Sequence, residues 1–188
     1  MKIIGGKFKG RNFYMPAGMR PTRNIVREAV FDILGRDLSG LAVLDLFAGS
    51  GAVGLEAVSH GAQKVVLVEK DPKYAEVIEE NFRLLPLERD AQGGLPYEIM
   101  QTDVFAAVKF LAGRGKKFDT IFIDPPYSRG LAKKALKTLG AYDILQPNCV
   151  VFIQHDTREI LPEQEGRIVL FRQRKYGNTY LSMYKVSV

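Results

Sequence analysis

Leu41-Ala-Val-Leu-Asp-Leu-Phe-Ala-Gly-Ser-Gly-Ala-Val-Gly54 passes from a short apolar run into three closely spaced glycines and then into helix-compatible residues. The run Leu41–Phe47 is the length of a buried strand, and the glycines allow a tight turn and close backbone approach to a ligand. A helix is predicted from there through Val58, stopping at Gly61. Gly49-Ser-Gly51-Ala-Val-Gly54 matches the dinucleotide fingerprint G-x-G-x-x-G, with Glu69 twenty residues past Gly49. Alone that match is weak, because a helix N-terminus with glycine backbone will accept several ligands.

The same alternation continues downstream. Lys64–Glu69 reads as a second strand, and Asp71-Pro72 as a cap and first-turn proline for a helix reaching Leu85. After a polar connection over 86–96, Tyr97–Thr102 is a third strand, with Asp103 capping a helix to Ala112. Phe118–Ile123, a helix over Leu131–Leu139, and Cys149–Gln154 complete the alternation, which predicts a parallel sheet covered on both faces. Arg167–Arg174 and Thr179–Val186, separated by Gly177-Asn178, predict a closing antiparallel hairpin. Upstream, Lys2–Tyr14 reads as a small twisted ribbon. A helix is expected from about Thr22 to Leu34, with Ile25, Val26, Ala29, Val30, Ile33 and Leu34 on its apolar face and Arg23 and Arg27 elsewhere.

Composition bounds the function. The 188 residues are 46% hydrophobic and 26% charged, ordinary for a globular domain, and no apolar run is long enough to span a bilayer. With no secretory-type apolar stretch near Met1, a cytoplasmic location is expected. One cysteine, Cys149, excludes an internal disulfide and reads as a core residue; His60 and His155 offer no zinc-site spacing, so no metal is expected. The net charge is +6, and the first 27 residues hold seven cations and no acid, leaving −1 for the rest. Lys7, Lys9, Arg11, Arg20, Arg23 and Arg27 in this arm therefore suggest a polyanionic partner.

Two groups of residues indicate chemistry. Asp45, ahead of the glycine loop, suits an ammonium-bearing ligand and would repel a pyrophosphate; Glu69 could accept from ribose hydroxyls and Asp103 from an adenine amine, with Val104 or Phe105 against the ring. That set favours S-adenosylmethionine over a nicotinamide dinucleotide. Each acid also has a plainer reading, Asp45 as a backbone cap, Glu69 as a solvated strand end and Asp103 as an N-cap. The second group is Asp124-Pro125-Pro126-Tyr127, at a strand tip. The prolines fix φ and bias Asp124 toward extended geometry, so a carboxylate, a carbonyl and an aromatic face are presented preorganised to a planar amine.

In order, Asp45-Leu-Phe-Ala-Gly-Ser-Gly51, Glu69, Asp103 and Asp124-Pro-Pro-Tyr127 resemble the class I S-adenosylmethionine-dependent methyltransferases that modify exocyclic amines. Ile3-Ile-Gly-Gly-Lys-Phe-Lys-Gly-Arg11, Arg20-Pro-Thr22 and Arg27-Glu28 resemble more narrowly the RsmD family of bacterial 16S ribosomal RNA guanine-N2 methyltransferases. The resemblance implies one Rossmann-like α/β domain over 1–188: a basic arm (1–21), a helix (22–36) and a catalytic core (41–188). In that core a seven-stranded, mostly parallel sheet ends in an inserted antiparallel strand. It implies S-adenosylmethionine held by Asp45, Phe47, Gly49, Ser50, Gly51, Glu69, Asp103 and Val104, and a guanine 2-amino group held by Asp124 and Pro125, with Tyr127 stacked on the base. It also implies a monomer acting on 16S ribosomal RNA within a small-subunit assembly intermediate. Gln154 departs from an acid expected in many relatives. The rivals are a DNA adenine-N6 methyltransferase, although the longest unassigned connection (86–96) is short for a target-recognition segment, and a non-catalytic RNA-binding module. A glutamine-modifying methyltransferase would be expected to carry Asn at position 124.

Overall fold

The computed structural model describes residues 1–16, 18, 24–127 and 130–187. The elements follow the predicted alternation: α1 (Asn24–Leu34), β1 (Ala42–Leu46), α2 (Ala52–Ser59), β2 (Lys64–Glu69), α3 (Pro72–Arg83), β3 (Tyr97–Gln101), α4 (Val104–Gly113), β4 (Phe118–Ile123), α5 (Leu131–Ala141), β5 (Leu145–Asp156), β6 (Gln164–Glu165), β7 (Ile168–Tyr176) and β8 (Thr179–Val186). The sheet order is β3-β2-β1-β4-β5-β8-β7-β6. β1 to β5 are parallel, and β8 is antiparallel to both of its neighbours, β5 and β7. This is a Rossmann-like sheet with an inserted last strand. Among the described residues it has eight strands rather than seven because two residues, Gln164 and Glu165, pair with the start of β7. β5 begins four residues earlier than expected, running through Pro147.

Strand alternation divides the core into two layers. Val43, Val65, Leu67, Phe122, Phe152, Leu181 and Met183 face α1, α2 and the N-terminal arm. Leu44, Leu46, Val66, Val68, Ile121 and Ile153 face α4 and α5. α2 is buried along its whole length between sheet and arm, and Gly54 lets it settle on β2, where a Cβ would come within 2.5 Å of Leu67. Asp71 caps α3 through the Lys73 amide, with Pro72 in the first turn. Cys149 is in the core, and burial pushes its thiol up to about 12. No helix among the described residues is long and apolar enough to cross a membrane.

The N-terminal arm is the short ribbon expected: the antiparallel Lys2–Asn12 bridge is flanked by reciprocal backbone bonds between Met1 and Phe13 and by the Ile3 amide donating to the Arg11 carbonyl. It is also part of the core, with Ile3, Phe8 and Phe13 buried. Glu56 on α2 accepts from the Ile4 and Gly5 amides, and Ser59 accepts from the Phe8 amide. Gly5 and Gly6 are required for this docking: a Cβ on Gly6 would lie 2.0 Å from the Ser59 carbonyl oxygen.

Arg27 corrects the reading of α1. It is fully buried, with its guanidinium bonded to the Lys2 carbonyl (3.1 Å) and the Asn24 side chain (2.7 Å) and 3.8 Å from Glu56. It therefore belongs to the packing of the arm and not to an RNA-facing surface. Burial lowers its pKa, with Glu56 opposing the shift. Ile25, assigned to the apolar face, is exposed, because the arm covers the side of α1 that carries Arg27. The predicted Thr22 cap and the cations Arg20 and Arg23 lie outside the described residues.

Candidate active site

A cavity of about 760 Å³ opens at the carboxyl ends of the parallel strands, where open α/β sheets bind ligands. β1 delivers Asp45 to it, and the loop after β1 adds Phe47, Ala48, Gly49 and Ser50. Glu69 and Lys70 come from the end of β2, Tyr74 from α3, Asp103 and Val104 from the turn after β3, and Asp124 to Tyr127 from the turn after β4. Thus every proposed catalytic and cofactor position except Gly51 lines one space. Gly51 instead takes φ 78 at the N-cap of α2 with its missing side chain toward Ile78, so it forms the turn without lining the cavity.

The glycine loop is held by side chains from two other elements. Glu69 accepts from the Gly49 amide (2.9 Å) through one oxygen and from the Asp71 amide (2.8 Å) through the other. From below, the buried Asn81 donates to the Ser50 carbonyl (3.0 Å). Phe47 has φ 64, an unusual conformation for a bulky residue and a mark of backbone strain at a ligand-facing turn. Asp103 does cap α4, accepting from the Phe105 and Ala106 amides through one oxygen, while still lining the cavity.

Across the cavity, Asp45 lies beside Phe122 in the β1–β4 register, so Asp124 emerges on the neighbouring strand. Asp45 is almost completely buried, and its Oδ2 has no hydrogen-bond partner among the described residues. Burial raises its pKa well above the usual carboxylate range, and Asp124 adds to that shift while the Gly54 amide opposes it. The Tyr127 hydroxyl accepts from Gln154 Nε2 (3.0 Å) and pairs with the Thr179 hydroxyl (3.0 Å), tying the turn after β4 to β5 and β8. With Pro125 and Pro126 fixing the backbone, this tether orients the ring.

An acid-lined cavity of this size suits a ligand with an ammonium, a ribose and an exocyclic amine better than one with a pyrophosphate. The unpartnered Asp45 oxygen, the strained loop and the three acids at successive strand ends fit S-adenosylmethionine. Among the described residues no cluster of three potential metal ligands occurs. Sequence reasoning missed Lys70, Tyr74, Asn81 and Thr179. Asn81 had a signal, a polar residue between Ile78 and Phe82 on an apolar helix face; Thr179 had none.

Lys7 and Arg11 of the arm lie elsewhere. The Lys7 amide bonds the Ser59 carbonyl at the end of α2, the Lys7 ammonium pairs with Glu88, and Arg11 reaches the Leu84 carbonyl just past α3. Those are the C-terminal ends of helices whose N-termini face the cavity. At 1.5 Å per residue, helices of this length separate the two levels by roughly 12–18 Å.

A family model described as Conserved hypothetical protein 95 matches residues 1–185. The Bacillus subtilis protein YlbH is 35% identical, with 98% of each chain covered. Ribosomal RNA small subunit methyltransferase D of Escherichia coli K12 is 30% identical over 98% of this chain and 89% of that one. A solved hypothetical protein of Thermus thermophilus superposes with TM-score 0.80 at 33% identity, covering 100% of this chain and 99% of that one. With a family model spanning nearly the whole sequence and relatives matched end to end, the chain belongs to this family, the RsmD family of methyltransferases.

Proposed function

We propose that this protein methylates ribosomal RNA, transferring a methyl group from S-adenosylmethionine to the 2-amino group of a guanine in 16S ribosomal RNA. The observation that carries the reading is the convergence of the glycine loop and Asp124-Pro-Pro-Tyr127 on one cavity from adjacent strands. Names of relatives such as that of Escherichia coli support ribosomal RNA as substrate; guanine N2 rests on the turn after β4.

When bound, the cofactor supplies an electrophilic methyl group on a sulfonium. Asp45, Glu69 and Asp103 hold its cationic and hydroxyl-bearing parts, with Val104 and Phe47 against its apolar parts. A guanine amine is a poor nucleophile because its lone pair is delocalised into the ring. Asp124 and the Pro125 carbonyl accept its N–H bonds, which localises the lone pair and aims it; Tyr127 stacks on the base. Catalysis is then chiefly positioning and electrostatics. As the new N–C bond forms and the methyl–sulfur bond breaks, its electron pair staying on sulfur, the amine would become cationic and release a proton, which Asp124 would accept. A paired base could not enter such a cavity, so the target is looped or flipped out. Lys9 and Arg11 would meet RNA backbone away from the target, and Arg20 and Arg23, which lie outside the described residues, would add to the grip on RNA. A cytoplasmic monomer acting on a protein-bearing small-subunit intermediate is the setting that fits.

The test is methyl transfer from radiolabelled S-adenosylmethionine to 16S ribosomal RNA and to small-subunit particles from cells lacking this protein, followed by mass mapping of the product. One methylated guanine, labelled at N2, is expected. Label on adenine, or none on RNA while the cofactor binds, would reject the reading.

A further inference from the structure

The −1 net charge of the chain beyond residue 27 conceals a second cationic block. Residues 166–188 contain Arg167, Arg172, Arg174, Lys175 and Lys185 and no acid. Arg167 approaches Asp143 at 3.5 Å, whereas Arg172, Arg174 and Lys175 are exposed and have no ion pair among the described residues. β6 pairs with Ile168 and Val169 and the Leu170 amide bonds the Glu163 carbonyl, so from Phe171 onward the outer edge of β7 is open among the described residues.

A β-bulge determines where these cations point. Leu170 stands opposite Tyr184, in the core layer under α4 and α5, but the register then skips Phe171 and places Arg172 opposite Met183 and Arg174 opposite Leu181. Paired residues share a face, and Met183 and Leu181 belong to the other layer, under α1 and the arm. Without the extra residue both arginines would emerge on the α4–α5 side; bulges commonly re-aim side chains in this way beside active sites.

The same register locates them relative to the cavity. Leu181 is opposite Gln154, which lines the cavity, so Gln154, Leu181 and Arg174 form one row across β5, β8 and β7. Two strand spacings put the Arg174 backbone about 10 Å from that of Gln154. Tyr176, farther along, is opposite Thr179, the partner of Tyr127. Unlike Lys7 and Arg11, these cations therefore stand at the level of the cavity mouth.

We infer that Arg172 and Arg174 form a second phosphate-binding strip, gripping the substrate RNA backbone one or two nucleotides from the target base. This rests on RNA being the substrate. Alternate residues of a strand are about 6.7 Å apart, comparable to neighbouring phosphates of an extended single strand. Charged edge strands also serve to block sheet-to-sheet aggregation, but a charge of either sign does that. The uniform sign, the bulge and the position beside the cavity are what point to phosphate.

The experiment compares three charge variants. Arg172→Glu/Arg174→Glu keeps the edge charged but repels phosphate; Lys109→Glu/Lys116→Glu makes the same change in net charge at exposed positions on and just past α4; Arg172→Lys/Arg174→Lys keeps the charge. Binding of 16S ribosomal RNA is measured against salt, and cofactor binding by calorimetry verifies each fold. The first variant should lose affinity on the order of tenfold or more, with the slope of log affinity against log salt shallower by about 0.7 per lost contact. The α4 variant and the lysine variant should stay near the parent. Parental affinity and slope in the first variant, or an equal loss in the α4 variant, would overturn the strip. Neither result bears on which base is methylated, which mass mapping decides separately.

Discussion

The two turns that meet over the cavity are rigid for different reasons. The turn after β1 is glycine-rich and would be floppy alone; it is held from outside, by Glu69 on the Gly49 amide and Asn81 on the Ser50 carbonyl. The turn after β4 carries its rigidity in its own covalent structure, two prolines, and borrows one tether, from the Tyr127 hydroxyl to Gln154 and Thr179. A loop that must wrap a ligand with its backbone needs glycines, so its order has to come from neighbours. A loop that presents one carboxylate and one carbonyl can be fixed by proline. In the functional reading, the first turn binds the cofactor and the second aims the acceptor, so their variants should fail in different ways.

The largest separation is expected at Asp124. Asp124→Ala should lower turnover by roughly two to four decades while calorimetry shows cofactor affinity within a few-fold of the parent; near-parental turnover would remove the acceptor role from that turn. Glu69→Ala should give the opposite pattern. Loss of charge-assisted bonds of roughly 1.5–3 kcal/mol weakens cofactor binding about 10- to 100-fold, and saturating cofactor should restore most of the turnover. If turnover stays low at saturation, Glu69 does more than order the glycine loop.

Asp45, between the turns, gives a pH-dependent comparison. Its pKa is raised, by burial first and Asp124 second, so its contribution to stability is full below the ordinary carboxylate range and is lost as pH rises through the raised value. Asp45→Asn, uncharged throughout, should melt higher than the parent near pH 8, by about 2–4 °C per kcal/mol relieved, with the gain fading toward about pH 4. An equal Tm difference at both pH values would show that the carboxylate's charge is not the cause. Smallest of all, Tyr127→Phe removes the tether but keeps the ring; a few-fold rise in KM for RNA with little change in kcat is expected. A large fall in kcat would mean that the prolines alone do not hold the turn.

The strand ends were legible in the sequence because each is announced by a change of period: an apolar run, then glycine, Asp-Pro, an Asp cap or Asp-Pro-Pro. The residues assigned by resemblance to the cofactor or acceptor rest on such signals or adjoin them, and the geometry brings them to one cavity, with Gly51 behind it. The charge of this region was misread for a physical reason. All seven cations of the first 27 residues read as surface charge, and Lys7 is indeed exposed, but Arg27 is buried under the arm's own backbone. Nothing local reports that burial, because it depends on Glu56, 29 residues away, and on the Lys2 carbonyl. The eighth strand escaped for the opposite reason: two residues have no period to detect. At β7 a single unpaired residue, Phe171, turns the whole end of the strand over, and alternation read from sequence would assign its arginines to the wrong face.

β8 has a consequence for how the molecule is made. It is the final strand in chain order yet fills an interior position, bonded on both sides by β5 and β7. During synthesis β5 has no partner on that side until residues 179–186 emerge, and an open parallel strand is a template for wrong pairing. The Thr179 hydroxyl arrives with the same segment, so the acceptor turn gains its tether only as the sheet closes. A nascent chain of this protein would thus carry its cofactor loop early and complete its base-holding side last.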